Sequence, residues 1–120
     1  MPKRIHILED DKDISYIINY LLKDEGFELQ LSASFAELKE KIKDGLPDLF
    51  ILDVMLPDGN GADICEDLKT DLFTKHIPVI LMSASSVNKE KSEEVFADDY
   101  ISKPFDVDFV LTRINKILNN

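Results

Sequence analysis

The residues able to do chemistry lie in four places, each at the end of a short apolar run. Glu9-Asp10-Asp11 follow Arg4 to Leu8, and Asp53 follows Leu49-Phe50-Ile51-Leu52. Ser83 follows Val79-Ile80-Leu81-Met82, and Lys103 follows Tyr100-Ile101-Ser102. Carboxylates brought together repel one another unless a cation neutralises them, so a metal is the natural companion of such a set. Oxygen-only ligands with room for water suit a hard divalent ion such as Mg²⁺, and one cysteine with two histidines offers no zinc-type spacing. A carboxylate, a metal, a hydroxyl and an ammonium around one point make a place where a phosphoryl group could attach to Asp53. Mg²⁺ and Lys103 would hold its oxygens and Ser83 would donate a further hydrogen bond. The competing account is plainer: Asp10, Asp11 and Asp13 favour a helix amino terminus, and Asp53 caps the turn before Pro57.

Positioning these groups falls to alternating elements. Continuous apolar runs read as parallel strands buried on both faces. Between them, Ile14, Ile17, Ile18, Leu21 and Leu22 repeat at helical spacing, which predicts a helix over roughly Lys12 to Glu25, stopped by Gly26. Phe27 to Leu31 reads as the second strand. Ser34 and Glu37 form a capping box for a second helix with Phe35, Leu38 and Ile42 inward, ended by Gly45 and Pro47. Ile64, Cys65, Leu68 and Leu72 mark a third helix closing before Pro78. Val87 to Phe96 has few apolar positions, so a fourth helix there should be short, with raised mobility from Ser86 to Phe96. Asp106 or Asp108 opens a last helix whose stripe is Val107, Val110, Leu111, Ile114 and Leu118. Five strand and helix alternations predict an α/β fold, a three-layer doubly wound parallel sheet with right-handed crossovers.

Composition limits the uses of such a fold. A chain of 120 residues, 44% hydrophobic, fits one domain spanning 1–120, with no effector domain in this sequence. A net charge of −10 disfavours direct nucleic acid binding or an anionic membrane, because phosphates would be repelled. The start, Met1-Pro2-Lys3-Arg4, lacks an apolar leader and no run reaches membrane-spanning length, so a cytoplasmic location is expected. Cys65 reads as helix packing, His6 as a residue packed or hydrogen-bonded at the sheet, and Phe109 as surface scatter.

Four pieces, in order and at suitable separations, carry a family resemblance: Ile7 to Asp11, Leu52 to Gly61, Met82-Ser83-Ala84 and Asp98 to Phe105. The chain resembles a receiver domain of the bacterial two-component response regulators, over almost its whole length. The resemblance implies the flavodoxin-like strand order 2-1-3-4-5. It implies Asp53 as phosphoacceptor; Mg²⁺ on Asp10, Asp53 and the Met55 backbone carbonyl, with Glu9 acting through water; and Lys103 pairing with the phosphoryl group, aimed by a cis Lys103-Pro104 peptide. Ser83 and Tyr100 would be the switch pair, with output on the face of the fourth helix, fifth strand and last helix. The implied partners are a histidine kinase or histidine phosphotransfer protein and a downstream effector domain or protein, with a second copy in a homodimer as a further option. The span from Ser83 to Tyr100 is shorter than in most receivers, and Phe96 stands where the family commonly has Gly. Other readings of the same residues are a receiver-like interaction module that is never phosphorylated, a Mg²⁺-dependent aspartyl phosphohydrolase and a flavodoxin-like cofactor binder. Met55 disfavours the phosphohydrolase, because enzymes resembling the haloacid dehalogenases carry Asp at that position. Glu9-Asp10-Asp11 disfavours the flavodoxin-like binder, whose phosphate these acids would repel.

Overall fold

The structure is a computed structural model that describes residues 2–83, 97–102 and 106–118. Its centre is β3 (Leu49–Asp53), in which all five residues are buried. Beside it lie β1 (Arg4–Leu8) and β6 (Val79–Ser83), flanked by β2 (Glu28–Ser32) and β7 (Asp99–Ser102). The order is β2-β1-β3-β6-β7, every pairing parallel. Two further strands, β4 (Met55–Leu56) and β5 (Gly59–Asn60), form a small antiparallel hairpin off the sheet. With the hairpin set aside, this is the flavodoxin-like order.

Because side chains alternate along a strand, β3 feeds two separate apolar layers. Leu49 and Ile51 join Ile5, Ile7, Ile80 and Met82 against α1 (Lys12–Asp24) and the last helix, here α4 (Val107–Leu118). Phe50 and Leu52 join Leu8 and Leu81 against α2 (Phe35–Lys41) and α3 (Gly61–Thr70). The expected inward stripe of α4 is present in Val110, Leu111, Ile114 and Leu118, and Ile117 joins it. The side chain of Val107 lies outside the described residues. So does 84–96, where the short fourth helix and its mobility were expected.

Helix ends account for most boundary differences. Asp11 caps α1, its carboxylate accepting from Asp13 N at 2.9 Å and Ile14 N at 3.2 Å. At the other end Gly26 takes φ 95°, with Gly26 N donating to Lys23 O and Phe27 N to Leu22 O. That pairing is a Schellman motif, and it occupies Phe27, so β2 starts one residue later than expected. Ser34 Oγ accepts from Glu37 N at 3.2 Å, as the capping box requires, although the Glu37 carboxylate reaches Ala33 N instead of Ser34 N.

Leu72 is a correction. Its spacing from Leu68 is helical, but α3 stops at Thr70 and Leu72 is 77% exposed. The chain turns there because Thr74 is drawn inward, its hydroxyl donating to Leu68 O at 2.6 Å, and Ile77 fills the layer that Leu72 was expected to fill. Cys65 packs in this layer as expected, and burial pushes its thiol up to about 11.

Asp98 ties α3 to the sheet. Its Oδ2 lies 2.6 Å from Lys69 Nζ and accepts from Val79 N at 2.8 Å, while Lys69 also donates to Ile77 O at 3.0 Å. The Lys69 side chain is only 15% exposed, so truncating Asp98 strands a largely buried ammonium. Asp98→Ala is expected to lower stability by about 1–3 kcal/mol, read from urea unfolding, the lower end reflecting the partial exposure of Asp98.

His6 is fully buried on β1, with Nε2 2.7 Å from Ser32 Oγ. Burial first, and the nearby Lys41 charge second, hold the imidazole down at about 4, from an ordinary value of 6.5. The unfolded chain therefore binds this proton first. The contribution is fully present above about pH 6.5 and is lost as pH falls toward the folded value. Urea midpoints should show a loss of about 2 kcal/mol between pH 7.5 and 5, absent in His6→Gln.

Candidate functional site

Since all five sheet strands run parallel, their carboxyl ends share one rim, the usual place for chemistry in an open α/β sheet. Glu9 follows the last residue of β1, Asp53 ends β3, Ser83 ends β6 and Ser102 ends β7. Strands β1 and β3 are adjacent, with Leu8 opposite Leu52, so the acids after each meet at the topological switch point. One carboxylate oxygen each from Glu9, Asp10 and Asp53 lies within 4.8 Å of the others. Glu9 and Asp53 are buried and Asp10 is exposed, which leaves an open side toward solvent.

The three consecutive acids divide their work. Asp11 turns to the helix as its cap, so the helix-terminus account holds for that residue. Glu9 and Asp10 are left for the rim, and Glu9 also accepts from Asp11 N at 3.3 Å.

The donor set fits Mg²⁺. Glu9, Asp10 and Asp53 bring one carboxylate oxygen each to a single open point, where they could hold a divalent cation directly or through water. A set of carboxylates without nitrogen or sulfur suits a hard ion.

Downstream of Asp53 the chain folds straight into the hairpin. Met55 N donates to Asp53 Oδ1 at 3.3 Å, while the Met55 side chain is 76% exposed. Its backbone is therefore tied to the site, while its side chain is open to solvent. Ser83 is buried and hydrogen-bonds with the Tyr100 hydroxyl; burial raises the phenol above its ordinary value and this bond offsets part of the rise. Tyr100 packs with the α2/α3 layer. The expected switch pair is thus in contact. Lys103, Pro104 and Phe105 lie outside the described residues, and with them the expected amine and the Lys103-Pro104 peptide.

Two positions inside the Leu52 to Gly61 piece were given no role of their own in the sequence. Gly61 opens α3, its N–H donating to Val54 O at 2.8 Å, and a Cβ there would overlap the Asp53 carbonyl oxygen and lie 2.8 Å from the carbonyl carbon. Asp58, at the hairpin tip, accepts from Phe35 N at 2.9 Å and Ala36 N at 3.1 Å. A Gly at a helix start and the Pro57-Asp58-Gly59 turn were the available signals.

A cleft of about 600 Å³ lies elsewhere, between α2 and α3. Phe35, Leu38, Ile42, Leu46 and Phe73 make it largely apolar, so it does not compete with the acidic rim as a place for phosphoryl chemistry.

Residues 5–115 match the family model of the response regulator receiver domain. The chain belongs to that family. It is 32% identical over 120 residues to a phosphate regulon transcriptional regulatory protein, PhoB, of Rhizobium meliloti, covering 98% of this chain and 53% of that protein. It is 39% identical over 118 residues to histidine kinase P4 of Formosa agariphila, covering 97% of this chain and 8% of the kinase. The chain thus spans about half or less of these relatives. A putative response regulator from Chloroflexus aurantiacus superposes with a TM-score of 0.93 at 29% identity, each chain fully covered. As a receiver domain of the two-component systems, the chain is a signalling domain rather than a conventional enzyme. Among the described residues, no helix is long and apolar enough to cross a membrane.

Proposed function

We propose that this receiver is a phosphorylation switch in which Asp53 accepts a phosphoryl group from a histidine kinase or histidine phosphotransfer protein. The observation that carries the reading is the meeting of Glu9, Asp10 and Asp53 oxygens within 4.8 Å at the end of the buried central strand. An Asp53 carboxylate oxygen forms the new bond to phosphorus as the donor's own bond to phosphorus breaks, and the leaving group keeps that electron pair. Water later cleaves the acyl phosphate and resets the switch. Asp10, Asp53 and the Met55 carbonyl, with Glu9 through water, would hold Mg²⁺, which would supply charge neutralisation at the acidic rim. Lys103 pairs with the phosphoryl group, and Ser83 gives up Tyr100 to donate to it. Tyr100 then repacks, and the change appears on the face of β7, α4 and the segment following Ser83. The domain's 1–120 span acts in the cytoplasm on an effector domain or protein, and as a homodimer if that face pairs. It does not bind nucleic acid itself, since a −10 chain repels phosphate backbones.

Incubating the protein with Mg²⁺ and a small phosphodonor, read by intact mass, tests this directly. The expected result is one added phosphoryl group that maps to Asp53, and beryllofluoride should shift the Ser83 and Tyr100 resonances. No uptake and no beryllofluoride response at millimolar Mg²⁺ would instead make the chain an interaction module that is never phosphorylated.

A further inference from the structure

The hairpin following Asp53 has more to hold in place than it can hold alone. Its ladder is two pairs, Met55 with Asn60 and Leu56 with Gly59, and a lone two-stranded hairpin is marginal in water. Its base is anchored by Gly61 N to Val54 O. Its outer end is held by Leu56, which packs against the α2/α3 layer, and by Asp58 at the tip, through the two bonds to Phe35 N and Ala36 N. One carboxylate oxygen goes to each N–H, across 23 and 22 residues of sequence. These bonds, that from Phe35 first, hold the Asp58 carboxyl below its usual range although it is exposed, so it is ionised at neutral pH.

The receiving helix is equally dependent. Helix α2 has seven residues, too few to persist by itself, and its first N–H groups need acceptors. Ser34 supplies one, to Glu37 N. Asp58 supplies the next two from another part of the chain, so helix and hairpin fix each other.

We propose that Asp58 is a positioning residue for the acidic site: by clamping the hairpin tip to α2, it sets the place of the Met55 carbonyl at the hairpin's other end. It touches neither the ion nor the reacting atoms. Met55 N already bonds to Asp53 Oδ1, so the Met55 backbone is tied directly to the carboxylate. The inference rests on the phosphorylation reading above.

The test separates clamping from plain helix capping. Asp58→Ala, Asp58→Asn and Ser34→Ala are compared with wild type for Mg²⁺ affinity by calorimetry, thermal stability, and phosphoryl uptake as a function of Mg²⁺. Ser34→Ala removes a cap from the same helix without touching the hairpin. Asp58→Ala is expected to weaken Mg²⁺ binding about five- to tenfold, below or at the low end of what supporting groups around metal ligands give. Uptake should slow at low Mg²⁺ and recover to about wild-type rate at saturation, a change in half-saturation rather than in maximal rate. Asp58→Asn, which keeps one acceptor oxygen, should fall between. Ser34→Ala should lose stability with its Mg²⁺ affinity unchanged. Wild-type Mg²⁺ affinity in Asp58→Ala, or an equal weakening in Ser34→Ala, overturns the clamp. If wild type binds Mg²⁺ but takes up no phosphoryl group, the phosphorylation reading falls and the Mg²⁺ measurements alone decide on Asp58. Wild type that fails to bind Mg²⁺ overturns both.

Discussion

Asp53→Asn is expected to take up no phosphoryl group under conditions that label wild type fully. Asparagine keeps the shape of the side chain, but its neutral amide oxygen cannot serve as the attacking carboxylate. The same change removes one of three charges from the cluster, so Mg²⁺ affinity should fall about tenfold or more, judged from the strength of close charge pairs. Asp53 is 6% exposed and Glu9 2%, so an ion held there binds the folded chain, and millimolar Mg²⁺ should raise the melting temperature of wild type more than that of the variant. Uptake of label at wild-type rate by Asp53→Asn would remove this residue from the central role.

The second large effect belongs to Gly61. A methyl group here meets backbone: the Asp53 carbonyl, and Val54 Cα at 3.0 Å. Backbone cannot rotate aside as a long side chain can, so either the first turn of α3 lifts or the end of β3 shifts. Gly61→Ala should cost about 2–3 kcal/mol in urea unfolding, the range of overpacking in a tight site. It should also slow phosphoryl uptake about tenfold, because β3 ends at Asp53, the proposed phosphoacceptor, and small misplacements there are expensive. Gly59→Ala is the control. Nothing lies within 4 Å of the point where its methyl group would sit, and its stability should stay within about 0.5 kcal/mol of wild type.

Much of the fold was legible because the strong signals are local. The apolar runs ending at Leu8, Asp53 and Ser83 are strands for the reason given, burial on both faces, and Asp11, Ser34 and Gly26 mark helix ends through their own hydrogen bonds or backbone angle. The acidic trio was legible once the strands were placed, since parallel pairing delivers their ends to one rim. What the sequence hid depends on long-range partners. Leu72 has the right spacing but loses to Thr74, whose hydroxyl finds the Leu68 carbonyl, and no periodicity reports that bond. Asp58 looks like an ordinary turn residue until α2 is beside it. Gly61 looks like a loop glycine until α3 closes against Asp53. The strand order and the roles of single residues came from resemblance, because local pattern says nothing about which strand sits next to which.

The one cysteine of the chain has a practical consequence. Cys65 is fully covered by the α2/α3 layer, with its thiol held protonated well past neutral pH, so a maleimide or disulfide reagent can reach it only when that layer parts. It sits one turn along the helix that begins at Gly61, against the backbone of Asp53. Labelling kinetics at this single sulfur therefore clock the breathing of α3. Timed with and without an acyl-phosphate mimic, they reveal how far a charge placed at the rim stiffens the interior behind it.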